Sequence, residues 1–335
     1  MGVKEAARKT HDVPEFPDRL HIQTQSYCNA DCIFCPYTET ARTQSMGKMS
    51  WELYTKIIDE AARHPVQRCS LLLMNEPLLD LDLARKIRYA KERFSPRTEV
   101  MITSNGSVLT DRKIKELLES GLDRIKISIQ GLDPRVYERT MGGLSYEKTI
   151  AGVRKLIKAV RASRARRPRV VLSIVATGSN ETEVRRFKRY WRFRGVKATS
   201  VVFETKAGNV KLEGGVLAPK GLMPFRTCFR PFRTLYVLWN GDVIPCCADW
   251  GRKLILGNVE RQSVGDVWHG EPANRLREAI RAWDPERLPP MCRSCAKATA
   301  TGAHQKNPLK ALVNRVKAFF GADRHLTAEE EELDG

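Results

Sequence analysis

The chain has 335 residues, room for two ordinary domains or one large barrel with an appendage; 42% hydrophobic and 29% charged residues is a globular composition. Lys and Arg outnumber Asp and Glu by 58 to 39, a net charge of +19, which invites nucleic acid, a membrane surface or a phosphorylated molecule as partner. No apolar run approaches the roughly 20 residues of a membrane span, the N-terminus lacks the apolar core of a secretory signal, and nine cysteines without an export signal favour metal or redox chemistry in a cytoplasmic protein over a disulfide framework.

From Arg19 to Phe203 short apolar segments alternate with amphipathic ones. The pattern predicts strands at Leu20–Thr24, Arg68–Met74, Glu99–Thr103, Arg124–Ile129, Val170–Ala176 and Thr199–Phe203. Helical spacing falls between them, at Trp51–Arg63, Leu79–Phe94, Asp111–Ser120, Tyr146–Ala162 and Glu181–Arg194. Strands separated by such helices argue for βαβ units and a parallel sheet. Six units are too few to close an eight-unit barrel. The expected fold class is therefore α/β, an open sheet or partial (β/α)6 barrel.

After Phe203 the pattern changes. Gly208 to Gly221 is a glycine-rich connector, and Leu235 to Cys246 looks like a β-hairpin. Its Asn240-Gly241 turn is the sequence of a type I′ turn, in which both central residues need positive φ. A short strand near Leu254–Val259 and helices near Val264–Trp268 and Ala273–Arg281 follow. The tail carries Leu309, Leu312, Val313, Val316 and Phe320 at helical spacing, with Lys310, Arg315 and Lys317 between them. It suits a helix docked on its own domain, or one resting on a membrane surface. The expected organisation is an N-terminal extension at 1–18, a barrel at 19–207, a small β-hairpin-plus-helix unit at 208–300, and a basic amphipathic helix with an acidic tail at 301–335.

The excess charge is uneven. Arg154 to Arg169 holds eight basic residues and Arg185 to Lys197 holds seven, with no acidic residue in either run. Phe187, Tyr190 and Trp191 lie among these arginines, but with Arg194 they share one helical face, so packing accounts for the aromatics first.

The cysteines form two constellations. Cys28, Cys32 and Cys35 sit directly after the first predicted strand, at the sheet edge where α/β proteins place chemistry. Three thiolates can hold three irons of a cubane and leave the fourth open; zinc completed by a distant ligand is the other reading of the spacing. Cys228, Cys246, Cys292 and Cys295 make a second set of four, enough to saturate a metal or a cubane. Cys69, in an apolar strand, reads as core. Cys247 reads either as a hydrogen-atom donor beside a substrate or as an ordinary hairpin-end side chain.

CxxxCxxC after the first strand of a βα barrel, with the aromatic Phe34 before the last cysteine, resembles the radical S-adenosylmethionine (SAM) enzymes. Asn75-Glu76-Pro77 resembles the family's GGEP-type motif, whose backbone binds the SAM amino group; Met74-Asn75 stands where the motif has glycines. Thr103-Ser104-Asn105-Gly106 resembles the segment that ends the third strand. Ser128 and Arg139 match positions that hold the SAM carboxylate and ribose, and Gln130 stands where many members have Asp. The likeness covers Leu20 to Phe203. Residues from Cys228 resemble the SPASM and twitch extensions: twelve residues separate Cys228 from Gly241 and four separate Gly241 from Cys246. No cysteine follows Cys295, so the resemblance implies one auxiliary 4Fe–4S cluster, held entirely by protein, beside the SAM-binding 4Fe–4S cluster on Cys28, Cys32 and Cys35.

By resemblance, SAM is cleaved to a 5′-deoxyadenosyl radical that abstracts hydrogen from carbon, and the closed auxiliary cluster takes a further electron. This implies oxidation of a sugar- or aminocyclitol-like small molecule, as in single-auxiliary-cluster aminocyclitol dehydrogenases. Peptide maturation or epimerisation is the alternative, although only 27 residues precede Cys28, too few for a leader-binding or cobalamin module. The basic runs would then be a solvated helical face or a dock for an acidic electron donor such as flavodoxin or ferredoxin. Peripheral membrane contact is a further option. A zinc-ribbon nucleic-acid-binding protein would share the CxxC pair and the charge, but would not need the strand-end motifs, which disfavours nucleic acid.

Overall fold

The computed structural model describes residues 11–177, 180–203, 205–210, 228–293 and 295. The strands are β1 (Arg19–Ile22), β2 (Asp31–Cys32), β3 (Arg68–Ser70), β4 (Glu99–Ser104), β5 (Arg124–Ser128), β6 (Met141–Gly142), β7 (Arg169–Ala176), β8 (Lys197–Val202), β9 (Thr234–Val237), β10 (Asp242–Ile244) and β11 (Gly257–Asn258). One mixed sheet runs β11-β10-β9-β1-β3-β4-β5-β7-β8, and β2 pairs with β6 in a separate ribbon. The six barrel strands expected from the sequence are β1, β3, β4, β5, β7 and β8, all parallel.

Alternation decides which way each strand faces. Leu20, Ile22, Cys69, Val100, Ile102, Ile125, Ile127, Leu172 and Ile174 are all buried in one core beneath the helices. His21, Gln23 and Ser70 occupy the intervening positions. Local chemistry sets the helix starts. The Ser50, Thr110 and Ser145 side chains accept from backbone N–H groups at the beginning of Trp51–Ala61, Asp111–Glu119 and Tyr146–Ala162. The expected helix from Leu79 is split into a 3-10 turn at Pro77–Leu79 and a helix at Leu83–Arg93. Asp80 causes the break: its Oδ1 accepts from the Asp82 N–H at 3.0 Å, a local turn that competes with helix. In Glu181–Phe193, Phe187 and Trp191 are fully buried, as their spacing predicts.

The hairpin departs from expectation twice. Gly241 has φ +84° but Asn240 is not left-handed, so the turn is not type I′. Leu238 N–H donates to the Asp242 carbonyl at 2.8 Å and Gly241 N–H to the Leu238 carbonyl at 3.0 Å, which closes a three-residue loop with glycine in the left-handed position. Asn240 instead binds Asp242 through its side chain. Secondly, the hairpin is not a separate sheet. β9 pairs in parallel with β1, placing Leu235 beside Leu20, so the barrel sheet continues across the expected boundary at 208.

Other contacts lock the two parts together. Lys56 Nζ donates to the carbonyls of Val259, Glu260 and Gln262 at 2.8–3.0 Å. Glu60 accepts from the first N–H groups of helix Val264–His269, both at 2.9 Å, where a carboxylate complements the helix dipole. From the N-terminal side, the Pro14 and His11 carbonyls accept from Trp268 Nε1 and Arg281. The expected helix and acidic tail at 301–335, and most of the connector, lie outside the described residues.

Leu235 is 2% exposed in the shared core, so Leu235→Ala should cost about 2–5 kcal/mol. Because its strand belongs to the barrel sheet, calorimetry should show the main transition shifted downward. A separate early transition, with the main one unmoved, would mark the hairpin as an independent unit.

Candidate active site

All the parallel barrel strands point one way, so β1, β3, β4 and β5 end together. The Cys28–Cys35 loop leaves β1 at that edge. Two polar side chains just past β1, both buried, organise it. Gln23 Nε2 donates to the Leu73 carbonyl at 2.7 Å, while its Oε1 accepts from the Trp239 N–H at 3.3 Å, joining three chain segments. Gln25 accepts from the Tyr27 N–H and donates to the Glu76 carbonyl at 2.7 Å. The Glu76 N–H returns to the Tyr27 carbonyl at 3.0 Å. The residue before Cys28 is thereby stitched to Asn75-Glu76-Pro77.

Glu76 is 2% exposed, and its carboxylate joins the ends of β3 and β4. Oε1 accepts from the Leu78 N–H at 3.0 Å and from Ser104 Oγ at 2.7 Å; Oε2 accepts from the Asn105 N–H at 2.7 Å. Burial pushes this carboxyl up to about 7, against the pull of the three donors. Asn105 in turn donates to Asn29 Oδ1 at 3.0 Å, and Asn29 donates to Ser107 Oγ at 2.9 Å, tying the cysteine loop to the end of β4. Met74 has φ +54°, the left-handed conformation that the motif's glycine adopts without strain. Asn75 Oδ1 accepts from the Leu73 N–H at 2.8 Å, but its Nδ2 is buried with no hydrogen-bond partner among the described residues. That donor suits an acceptor on a bound molecule, such as a carboxylate.

The cysteine loop is braced from the far side by the β2–β6 ribbon, which sets Cys32 opposite Met141 and Asp31 opposite Gly142. Tyr37 Oη accepts from the Cys28 N–H at 2.7 Å. Cys28, Cys32 and Cys35 are half-buried free thiols. Burial is the main influence raising all three, Cys28 to about 12, and neighbouring thiols raise Cys28 and Cys32 further. Backbone N–H groups oppose this: Ala30 at Cys28 and Tyr37 at Cys35, each two residues beyond its cysteine. N–H groups aimed at sulfur fit thiolates that ligate a cluster. Phe34 packs against Phe203, ring centroids 5.7 Å apart.

The second cysteine set repeats this chemistry. Cys246 is raised by burial first and then by Cys247 and Cys228; Arg230 and the Ala248 backbone N–H oppose. Cys292 is raised to about 12 by burial, with Cys228, Cys295 and Asp249 adding. Cys228 is thus an electrostatic neighbour of both Cys246 and Cys292, and Cys295 of Cys292. Cys247 and Cys246 pack with Met74 against Leu73, Tyr236, Leu238 and Ile244, which puts Cys247 in the same apolar cluster as the β3 strand end. Among the described residues no three His, Cys, Asp or Glu side chains converge closely enough to hold a single metal ion.

The remaining expected residues separate into two groups. Ser104, Asn105, Glu76 and Pro77 belong to the joined strand ends. Ser128 ends β5 opposite Ser173 of β7, and Gln130 Oε1 accepts from the Val175 N–H at 2.8 Å. Arg139 is exposed on helix Pro134–Thr140 and makes no hydrogen bond or ion pair within the described residues. Sequence reasoning missed that helix, although Asp133-Pro134 is a start signal: Asp133 Oδ1 accepts from the Arg135 and Val136 N–H groups. It also missed Gln23, Gln25, Asn29 and Tyr37, which carry no motif, and Gly142. A Cβ on Gly142 would lie 2.7 Å from the Asp31 carbonyl oxygen, so only glycine lets the ribbon close. Gly142→Ala should therefore displace the cysteine loop, lowering the iron held by Cys28, Cys32 and Cys35 while iron at the second set is retained. Iron analysis of Gly142→Ala in a Cys295→Ala background, against that background alone, reads the effect.

Comparison with known proteins agrees with this arrangement. The Radical SAM superfamily model matches residues 22–190, and that of SPASM, an iron–sulfur cluster-binding domain, matches residues 228–296. The tungsten-containing aldehyde ferredoxin oxidoreductase cofactor-modifying protein of Pyrococcus furiosus is 24% identical over 83% of this chain and 86% of its own. An S-adenosyl-L-methionine-dependent 2-deoxy-scyllo-inosamine dehydrogenase of Niallia circulans is 22% identical over 78% and 86%. The fold is similar to that of BtrN in complex with AdoMet and 2-DOIA (TM-score 0.56, 18% identity, 84% of this chain and 93% of that one). It is also similar to that of Streptococcus suis SuiB bound to precursor peptide SuiA (TM-score 0.67, 18% identity, 87% and 72%). SAM and iron–sulfur clusters are the cofactors these domains imply, and the thiol donors and the unpartnered Asn75 amide suit them in chemistry. The chain belongs to the radical SAM superfamily and is an enzyme of that family with a C-terminal SPASM domain.

Proposed function

We propose that the protein oxidises a carbon centre of a small hydroxylated substrate, sugar- or aminocyclitol-like, using SAM, a 4Fe–4S cluster on Cys28, Cys32 and Cys35, and one auxiliary 4Fe–4S cluster on Cys228, Cys246, Cys292 and Cys295. The feature that carries the reading is the cysteine count of the second set: four protein thiols, all ligating, would leave no position for substrate. When bound, SAM and the first cluster supply a hydrogen-abstracting radical, and the auxiliary cluster supplies an acceptor for the substrate's second electron. The similarity to a SAM-dependent 2-deoxy-scyllo-inosamine dehydrogenase over most of both chains supports the same substrate class.

The protein's own residues divide the work. Gln25 and Glu76 hold the cysteine loop and the β3 and β4 ends in one frame. The unpartnered Asn75 Nδ2 supports a hydrogen bond from it to an acceptor on SAM, and Ser128, Gln130 and Arg139 are the further SAM contacts in this reading. Phe34 shields the loop at Phe203. A protein reductant such as flavodoxin or ferredoxin supplies electrons, and a reducing cytoplasm suits the thiols. No described helix is long and apolar enough to cross a membrane.

Anaerobically purified protein should hold about eight irons per chain, as two cubanes require. Cys32→Ala should abolish reductive cleavage of SAM. Cys295→Ala should cleave SAM yet form no oxidised product; normal turnover would remove the auxiliary acceptor from the scheme. Cys247→Ala should leave oxidation intact. A Cys247→Ala enzyme that abstracts hydrogen and then stalls would point to epimerisation, and 5′-deoxyadenosine release with peptides but not aminocyclitols would point to peptide maturation.

A further inference from the structure

The fold brings the C-terminal parts of the two basic runs together at one end of the barrel. Helices Tyr146–Ala162 and Glu181–Phe193 run opposite to the strands, so both C-termini lie at the start of the strands, remote from the cysteine loop. Arg161 reaches across and donates to the Arg194 carbonyl, and Arg154 donates to Tyr190 Oη at 3.3 Å, so the helices abut. Arg186, Lys188, Arg189 and Arg192 are all exposed and have no hydrogen-bond or ion-pair partner within the described residues. At the end of this helix stands Phe193, 77% exposed. At 100° per residue it shares the outer face with Arg186 and Arg189, seven and four positions earlier.

An electron donor docked here would face the wrong end. The six residues of β8 alone span about 20 Å, the length of the barrel, between this face and the cysteine edge. Single-stranded nucleic acid sites offer several stacking rings in a basic groove; here Phe187 and Trp191 are buried and the surface is a convex helix pair. A free aromatic ring beside uncompensated guanidinium groups is instead the chemistry of an interfacial anchor. The basic apolar pattern in the sequence from Leu309 to Phe320 has the same character.

We propose that this face docks on an anionic lipid surface, Phe193 entering the headgroup boundary while Arg186, Arg189 and Arg192 meet lipid phosphates and carboxylates. The active-site mouth, at the end of the strands remote from Phe193, then stays clear of the lipid, open to substrate and reductant.

Flotation of the cluster-loaded protein with phosphatidylcholine vesicles, with and without phosphatidylserine, tests this. Binding should require phosphatidylserine and should fall as salt is raised. Phe193→Ala should weaken it about tenfold, from lost apolar burial, and Arg189→Gln about fivefold. Neither variant should change SAM cleavage or melting temperature, since both side chains are exposed and outside the active site. No binding to phosphatidylserine vesicles overturns the proposal. Binding that Phe193→Ala leaves unaltered overturns it too, as does tight RNA binding that competes with the vesicles and ignores Phe193.

Discussion

One buried carboxylate holds the mouth of the barrel together. Glu76 accepts from the Leu78 and Asn105 N–H groups and from the Ser104 hydroxyl, spanning the ends of two neighbouring strands. Its own backbone is bonded on both sides to the segment before Cys28. Removing that side chain would strand three donors in a buried place, each costing about 1–3 kcal/mol. The motif residue is therefore as much a keystone for the cysteine loop as a part of a binding surface. The strained Met74 beside it is tolerated because this surrounding frame dictates the local backbone.

How much of this was legible in the sequence depended on the range of the interaction. The barrel strands and the long helices are written in local periodicity, and Tyr146–Ala162 ends where its pattern ends. The cysteine sets are written in spacing. Gln25 gave no signal because a lone glutamine has no motif; its importance exists only once Tyr27 and Glu76 are brought beside it. The pairing of β9 with β1 was equally hidden, since no local property of either strand names its neighbour across more than two hundred residues. At Asn240-Gly241 the opposite occurred. A strong local turn signal was present, but side-chain bonding between Asn240 and Asp242 favoured a longer loop.

Charge followed the same rule. Two basic runs, read as segments, carry no information about their mutual position. Helix direction brings their C-terminal parts together, where Arg161 ties one helix terminus to the other. The aromatics among them split by burial: Phe187 and Trp191 serve the core, and Phe193 alone stands in solvent. The same composition thus supplies a packed layer inside and a charged shield outside.

The pairing of β9 with β1 has a consequence for the chemistry between the two cysteine sets. One set hangs from the end of β1, and Cys246 follows the strand that returns beside β9. The two strands keep the sheet's fixed separation of about 4.8 Å, and Leu20 stays in register with Leu235. Backbone hydrogen bonds thus carry the strands that lead to both cysteine sets in one sheet, so fraying β9 from β1 would loosen the footing of both at once.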